Sequence, residues 1–384
     1  MTDRPVILAG VPTQNLSIYR RTRFAVGDTV VFIELPGEGT FLILRNIEMD
    51  RARKAGAADH IHAPADFAPA GGLSGDRDTA NAQAAAELLK KHGVSEIWTD
   101  RALPMLFTHM LTESGVVVRC DPEMGVLERR AKDEHEVEHL RKAQRMTEDV
   151  VSMACRLIGA ASVGERGELR SAGEPLTSEF VRAQINIFLL HHGMDTCNSV
   201  VAGGPQGADC HDRGSGPLRT GEPIIIDVFP RDPVSLYCGD CTRTVVHGRK
   251  QDIPDPVVRM HRAVVEAKQA AISATRAGVT GEAVHEAACA VIREHGYEIG
   301  LPPKGAPDGY TGFVHGTGHG VGLDVHEPPL LDAGGPELVV GDALTIEPGL
   351  YGRAVGGIRV EDMVIVREDG CENLNTIPEG LTWE

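Results

Sequence analysis

Acidic side chains inside apolar, strand-like runs are the feature that most constrains how this chain can fold. Residues 222–229 form an apolar run that is interrupted by Asp227, and the run 237–246 contains Asp240 in the same way. Runs this apolar are typical of strands that are buried on both faces. An ionised carboxylate at such a position is costly unless a cation or several hydrogen-bond donors accompany it.

The turn between these runs predicts that the two aspartates meet. Residues 230–233 read Pro-Arg-Asp-Pro, which is strong turn chemistry, so the flanking strands should form a hairpin that brings Asp227 and Asp240 face to face. The arrangement recurs downstream, where Glu347 ends one predicted strand and Glu361 lies in the middle of another, over 357–367. Like charges resist such proximity, so each pair predicts a positive partner.

A glycine-rich segment with three histidines lies between the two carboxylate pairs. Glycine at every second position around His315 and His319 disfavours a helix, so the two rings should share one face of an extended segment. His326 reaches that face only if the chain bends near Gly322. A single aspartate in a strand is usually a hydrogen-bonded structural residue, but four such carboxylates with a histidine suit two hard or borderline divalent cations.

Two cysteines, Cys238 and Cys241, flank one of these aspartates and could indicate zinc or redox chemistry. Because no second Cys or His pair stands at zinc-finger spacing, we interpret them as ordinary buried thiols.

The pattern of elements predicts two domains. Residues 1–123 alternate strand-like and helix-like segments, and 124–384 begin with a long helix that Asp133 can cap. Segments 179–193 and 282–296 form a weak internal repeat, each with Glu first, Val two residues later and His-Gly at the end. The repeat predicts a C-terminal domain of two similar halves, each a helix pair that leads into strands.

The composition excludes several classes of partner. The formal net charge is -17 and no Lys/Arg block offsets it, so we expect no nucleic-acid partner. No apolar run approaches the length of a membrane span, and the N-terminus has no signal-peptide core, so we expect no membrane partner. Eight cysteines among 384 residues are too sparse for a disulfide scaffold, which predicts a cytoplasmic protein.

The motifs that carry these carboxylates and histidines closely resemble those of the pita-bread metallopeptidases. That family includes Xaa-Pro aminopeptidases, prolidases, methionine aminopeptidases and creatinases. The matching motifs are 240–244, 315–329, 346–349 and 357–362, and the resemblance spans about 127–367. The N-terminal domain resembles that of the creatinase, prolidase and aminopeptidase P branch. The resemblance implies an α/β (α+β) protein, with a small α/β domain before a pita-bread catalytic domain of two similar halves.

The resemblance also implies a ligand set for two divalent metal ions, with Mn²⁺ expected first and Co²⁺ or Zn²⁺ as alternatives. Asp227 would bind one metal, Asp240 and Glu361 would bridge both, and His319 and Glu347 would bind the other.

Further roles follow from the same resemblance. His211 and His326 fall where the family has substrate-binding histidines, and His326 would hydrogen-bond the developing oxyanion. His315 would line the specificity pocket, and Arg359 would orient the substrate or the ligands. Glu347 is the candidate to move a proton to the departing nitrogen.

The sequence departs from the family's pattern near this site. The spacing from Asp227 to Asp240 is two residues longer than usual, and the turn at 230–233 can absorb the difference. Leu236 stands where a glycine is usual, and Cys210 stands where a proline is usual. The departures affect the expected edge of the pocket rather than the ligands.

The activity that the resemblance implies is removal of the first residue from short peptides with proline second, as an Xaa-Pro aminopeptidase. Prolidase, an Xaa-Pro dipeptidase, is the alternative. A creatinase-like or non-catalytic peptide-binding relative would have lost metal ligands, and all five are present here. A cysteine peptidase built on Cys210 and His211 is weaker still, since sequence neighbours rarely point at each other. The resemblance further implies a homodimer.

Overall fold

The computed structural model describes residues 3–307 and 309–383. The chain divides into two compact units, and the division falls between Arg129 and Arg130. The first unit runs past the expected boundary at 123, because Met124 packs on its apolar core and Glu128 pairs with Arg21 at 2.9 Å. Within the described residues, no helix is both long and apolar enough to cross a membrane.

The first unit is a mixed sheet with helices on both faces. Its strands are β1 (Val6–Gly10), β2 (Val30–Leu35), β3 (Gly39–Ile43), β4 (His60–His62), β5 (Glu96–Thr99) and β6 (Val117–Cys120). Its helices are α1 (Leu16–Thr22), α2 (Met49–Ala55), α3 (Arg77–Lys91) and α4 (Met105–Glu113), and α5 (Val126–Arg130) follows. The strand order is β4-β3-β2-β1-β5-β6. Alternate residues of β1 pack into cores on opposite faces of the sheet. Ile7 packs into the core formed with α3 and α4, and Leu8 packs into the core formed with α1 and α2.

The second unit begins with a half built from α6 (Glu134–Gly159), α7 (Ser178–His191) and two small sheets. The strands of these sheets are β7 (Ser162–Val163), β8 (Leu169–Ser171), β9 (Glu174–Pro175), β10 (Val200–Gly203), β11 (Pro223–Val228) and β12 (Cys241–Val246). Asp133 caps α6 as predicted, and a capping box with Glu136 completes the helix start. The apolar faces of α6 and α7 and strands β10–β12 form one core.

The other half of this unit repeats the plan with α8 (Asp255–Ala274) and α9 (Gly281–Glu294). Its strands are β13 (Glu298–Ile299), β14 (Gly312–Phe313), β15 (Gly318–Gly320), β16 (Glu327–Leu331), β17 (Ala343–Ile346), β18 (Gly349–Gly352), β19 (Gly356–Arg359), β20 (Asp362–Arg367) and β21 (Gly370–Asn373). They form two sheets, β13-β14-β18-β19 and β16-β15-β17-β20-β21. The repeated segments are α7 and α9, each capped by a threonine, Thr177 and Thr280. The prediction of two similar halves is therefore confirmed.

Two strand pairings position the carboxylates. Strands β11 and β12 form the predicted antiparallel hairpin, and β17 pairs antiparallel with β20. The prediction of one strand over 357–367 is wrong, because the chain leaves the sheet of β19 at Val360 and enters the sheet of β20 at Asp362. Glu361 therefore lies at a crossing between sheets, where its N–H donates to the carbonyl of Thr242 at 3.1 Å.

Candidate metal centre

Three of the predicted ligands converge at the end of the β11–β12 hairpin. Asp227 is in register with Thr242, and Asp240 immediately precedes β12. One carboxylate oxygen from each of Asp227, Asp240 and Glu361 lies within 4.8 Å of the other two. The hairpin and the sheet crossing thus bring together residues that are far apart in sequence.

Helix α6 holds the backbone of Asp240. The Gln144 side chain donates to the carbonyl of Asp240 at 2.7 Å and accepts from its N–H at 2.9 Å. The same amide donates to Asn375 Oδ1 at 2.9 Å, and that oxygen accepts the N–H of Met363 at 2.8 Å. Gln144 is fully buried, so these bonds are shielded from water. One side chain therefore links Asp240 to the strand that follows Glu361.

Glu361 is fixed from the facing strand. Thr242 Oγ1 donates to Glu361 Oε2 at 2.7 Å, so the carboxylate has a defined orientation. Its other oxygen is left for a further partner, as a metal ligand requires.

His319 and Glu347 enter the site from β15 and from the end of β17. A Cβ at Gly318 or Gly320 would overlap backbone carbonyls of the neighbouring strands, which explains the glycines on either side of His319. His319 Nδ1 donates to the carbonyl of Gly320 at 3.0 Å, so Nε2 carries the lone pair. That Nε2 lies 3.4 Å from Glu347 Oε1 and 3.9 Å from Asp240 Oδ2.

Asp227 is oriented by a buried arginine. Arg359 Nη2 donates to Asp227 Oδ2 at 2.7 Å, and its Nη1 donates to the hydroxyl of Tyr351 at 2.9 Å. Tyr351 in turn donates to His315 Nε2 at 2.8 Å, because Nδ1 of that ring already donates to the carbonyl of Gly316. The remaining oxygen, Asp227 Oδ1, is buried and has no hydrogen-bond partner within the described residues. A cation would satisfy this oxygen, so the donor set fits a metal.

The electrostatics of the site also favour a cation. Burial and then repulsion from Glu361 raise the pKa of Asp240 well above its usual value, and burial and then Glu347 do the same to the pKa of Glu361. Burial raises the pKa of Glu347, although His315 and Arg359 oppose the effect. Burial lowers the pKa of His319, which keeps the imidazole neutral as a ligand must be. Excess negative charge in a low-dielectric site is what a divalent ion would relieve.

A cavity of about 450 Å³ opens beside these groups, and the remaining predicted histidines line it. His326 reaches it because the chain bends over 322–326, and its ring centroid lies 4.3 Å from that of His319. His211 stands at the exposed rim and His315 lies deeper, partly buried. All nine predicted site residues are thus brought to one cavity, while their individual roles stay predictions.

Cys210 also lines the cavity, with its Sγ 3.8 Å from His211 Nδ1. These sequence neighbours therefore face each other, contrary to the expectation that they would point apart. Burial nevertheless raises the pKa of the Cys210 thiol, so the thiolate that a cysteine peptidase needs is disfavoured.

Three supporting residues were not singled out from the sequence, namely Gln144, Thr242 and Tyr351. Gln144 lies on the buried face of the amphipathic helix α6, but Glu136, Thr147, Glu148 and Ser152 lie on that face too, so the helical pattern alone does not single it out. Thr242 and Tyr351 lie in strands where their residue types are common, and only the three-dimensional pairing shows their partners.

Comparison with known proteins identifies a family. Residues 138–368 match the model of metallopeptidase family M24. The probable dipeptidase PepE of Mycobacterium tuberculosis is 40% identical over 185 residues, which cover 47% of this chain and 45% of that protein. The Xaa-Pro dipeptidase of Pyrococcus furiosus is 28% identical over 230 residues, covering 59% of this chain and 60% of that protein. The matched region thus spans about half the length of these curated relatives.

Solved structures match over nearly the whole chain. The X-Pro aminopeptidase from Thermotoga maritima superposes with a TM-score of 0.79 at 22% identity, covering 99% of this chain and 97% of that one. The dipeptidase PepE from Mycobacterium ulcerans gives a TM-score of 0.73 at 25% identity, covering 99% and 92%. These matches confirm the predicted fold, including its pita-bread catalytic domain.

Proposed function

Because the chain belongs to metallopeptidase family M24, we propose that it is a two-metal peptidase that cleaves the bond before proline at the N-terminus of short peptides. One observation carries the proposal. Three carboxylates, two of them on fully buried residues, converge within 4.8 Å, and Asp227 Oδ1 among them is a buried atom with no hydrogen-bond partner in the part of the chain that the structure describes. Such a cluster is unfavourable without cations and suits two of them.

The proposed ligand set follows the geometry. Asp227 would hold one ion through the oxygen that Arg359 does not use, and His319 Nε2 and Glu347 Oε1 would hold the other. Asp240 and Glu361 would each hold both ions, as the family resemblance implies. Mn²⁺ is the proposed metal, because four carboxylates and one imidazole form an oxygen-rich set.

When bound, the two ions would polarise the scissile carbonyl and make a water-derived nucleophile available near neutral pH. Glu347, at the junction of His319 and Arg359, would move the nucleophile's proton to the departing nitrogen. Burial lowers the pKa of His326, so the neutral ring has one N–H to donate to the developing oxyanion. The Arg359 guanidinium would keep Asp227 fixed throughout.

Proline in the second position gives this site a distinct task, since its amide nitrogen is tertiary and its φ is fixed. The cavity has apolar lining beside the carboxylates, from Val200, Phe229 and Leu330, against which the ring could pack.

A preference for peptides longer than two residues is supported by a neighbouring cavity. Cys210 lines both the main cavity and a second one of about 590 Å³. The second cavity offers room for residues that follow the proline, which favours an aminopeptidase. The alternative, a dipeptidase, would need a cation for the substrate carboxylate, and the exposed Arg213 at the main cavity is the group to supply it.

We further propose a homodimer, on the family resemblance, and a cytoplasmic location, on the cysteine content. All eight cysteines are free thiols, which suits a reducing compartment. Light scattering on the purified protein measures the oligomeric state.

A panel of Xaa-Pro peptides tests the proposed substrate. Metal-loaded enzyme should release alanine from Ala-Pro-Ala faster than from Ala-Pro, and it should act poorly on Ala-Ala-Ala. Faster cleavage of Ala-Pro, lost in Arg213→Met, would establish the dipeptidase instead. Equal cleavage of Ala-Ala-Ala would overturn the proline requirement.

A further inference from the structure

A histidine pair on the first turns of α6 lies apart from the carboxylate centre. His135 and His139 are four residues apart, so they lie on one face of the helix. His135 is exposed and His139 is partly buried. Neither lines the cavity described above.

The two rings converge on one point. His135 Nε2 and His139 Nε2 are 3.2 Å apart, and the ring planes are nearly perpendicular at 80°. With metal–nitrogen bonds of 2.0–2.1 Å, two adjacent ligands on a tetrahedral or octahedral ion are about 2.9–3.4 Å apart. The observed separation lies inside that range, so one ion could accept both nitrogens with little movement.

One arm of the pair is already held in place. The ring of His139 stacks on Tyr237, with centroids 5.7 Å apart and planes 6° from parallel. The Tyr237 hydroxyl donates to Glu136 Oε1 at 2.6 Å, which fixes the aromatic ring against α6. A ligand whose orientation is set beforehand loses less entropy when an ion binds.

Carboxylates lie beside the pair on the first turns of α6. Residues 133–139 contain four of them, and Arg141 pairs with two, Glu134 at 2.6 Å and Glu138 at 3.3 Å. The charge of the other two, Asp133 and Glu136, offsets the positive end of the helix dipole, which would otherwise oppose a cation at the first turn.

We propose that His135 and His139 form a second metal site, a two-imidazole chelate for a borderline divalent ion such as Ni²⁺, Cu²⁺ or Zn²⁺. Nitrogen ligands suit these ions, whereas Mn²⁺ prefers oxygen. The ion keeps its other positions open to water, so the site exchanges metal readily. It is independent of the proposed peptidase activity, and it adds one equivalent of such metals to those at the carboxylates.

Nickel nitrilotriacetate is a probe that tests this site directly, since it offers two adjacent open positions. The untagged full-length protein is titrated with the complex, and binding is followed by surface plasmon resonance. His135→Gln and His139→Gln should each weaken binding by about 100-fold, because either change removes one arm of the chelate. His191→Gln is the matched control: His191 and His192 are exposed neighbours at a helix end, and adjacent residues cannot converge on one ion.

Peptidase activity should be unchanged in both α6 variants, and the thermal midpoint should be unchanged in His135→Gln, so that loss of binding in that variant reports the site rather than the fold. His139→Gln also loses the stacking on Tyr237, so its thermal midpoint should fall slightly. Equal affinity in wild type and His135→Gln would overturn the proposal. An equal loss in His191→Gln would also overturn it, because binding would then follow the number of surface histidines.

Discussion

Gln144→Leu is the substitution that most sharply tests how the fold holds its carboxylates. Leucine keeps the approximate volume but removes both hydrogen bonds to the backbone of Asp240 and the one to Asn375. Gln144 is fully buried, so water cannot replace these partners without opening the helix.

The magnitude follows from the groups left without partners. The N–H and the carbonyl of Asp240 both lose their Gln144 partner, and each buried unsatisfied group costs about 1–3 kcal/mol. We therefore expect the free energy of unfolding to fall by about 2–6 kcal/mol. Because Asp240 is also less firmly held, the affinity for the activating metal should fall by about 10–100-fold, as for other supports of metal ligands.

Urea denaturation and a Mn²⁺ titration of peptide turnover measure the two effects. The control is Gln269→Leu, the same change at an exposed position of α8. It should alter stability by no more than about 0.5 kcal/mol and leave metal affinity unchanged. If Gln144→Leu behaves like this control, Gln144 does not position Asp240 and the reasoning fails.

Three further predictions concern backbone strain, pH and the thiol. Leu236 has a left-handed backbone at φ 63°, where the family usually has glycine. Leu236→Gly should therefore be more stable in urea than Leu236→Ala by about 1 kcal/mol. If the alanine variant is the more stable of the two, the backbone at this position is not strained. Arg141, followed by Arg367, lowers the pKa of Glu372 to about 2 from 4.5, so these pairs should stabilise the fold above pH 4.5 and lose that effect as pH falls towards 2. The stability difference between wild type and Glu372→Gln should shrink over that window, and a constant difference would contradict the assignment. Cys210→Ser should keep near-wild-type turnover of Ala-Pro-Ala. Loss of turnover in this variant would instead support a mechanism in which the Cys210 thiol is the nucleophile.

The elements that local chemistry determines were predictable from the sequence. The Pro-Arg-Asp-Pro turn at 230–233 predicts the β11–β12 hairpin, and the Asp133 cap predicts the start of α6. The candidate carboxylates could be identified from the sequence because a charge inside an apolar, strand-like run is stable only with a cation or several hydrogen-bond donors beside it. The need to bury such charges is a property of the residues themselves.

Features that depend on tertiary pairing were not predictable. Residues 358–366 around Glu361 contain neither glycine nor proline, so no strong local break shows that β19 and β20 belong to different sheets. Gln144 reaches its partners across 96 residues to Asp240 and 231 residues to Asn375. Contacts of that range are set by the packing of the whole domain.

Metal content measured together with turnover tests the central claim most directly. The protein is stripped of metal, reloaded with Mn²⁺ and assayed on Ala-Pro-Ala, alongside Asp240→Ala and Glu361→Ala. The wild type should bind two ions per chain and hydrolyse the peptide only when loaded. Each variant should bind less metal and lose activity. Near-normal turnover in either variant, or full activity in the stripped wild type, would contradict a two-metal peptidase.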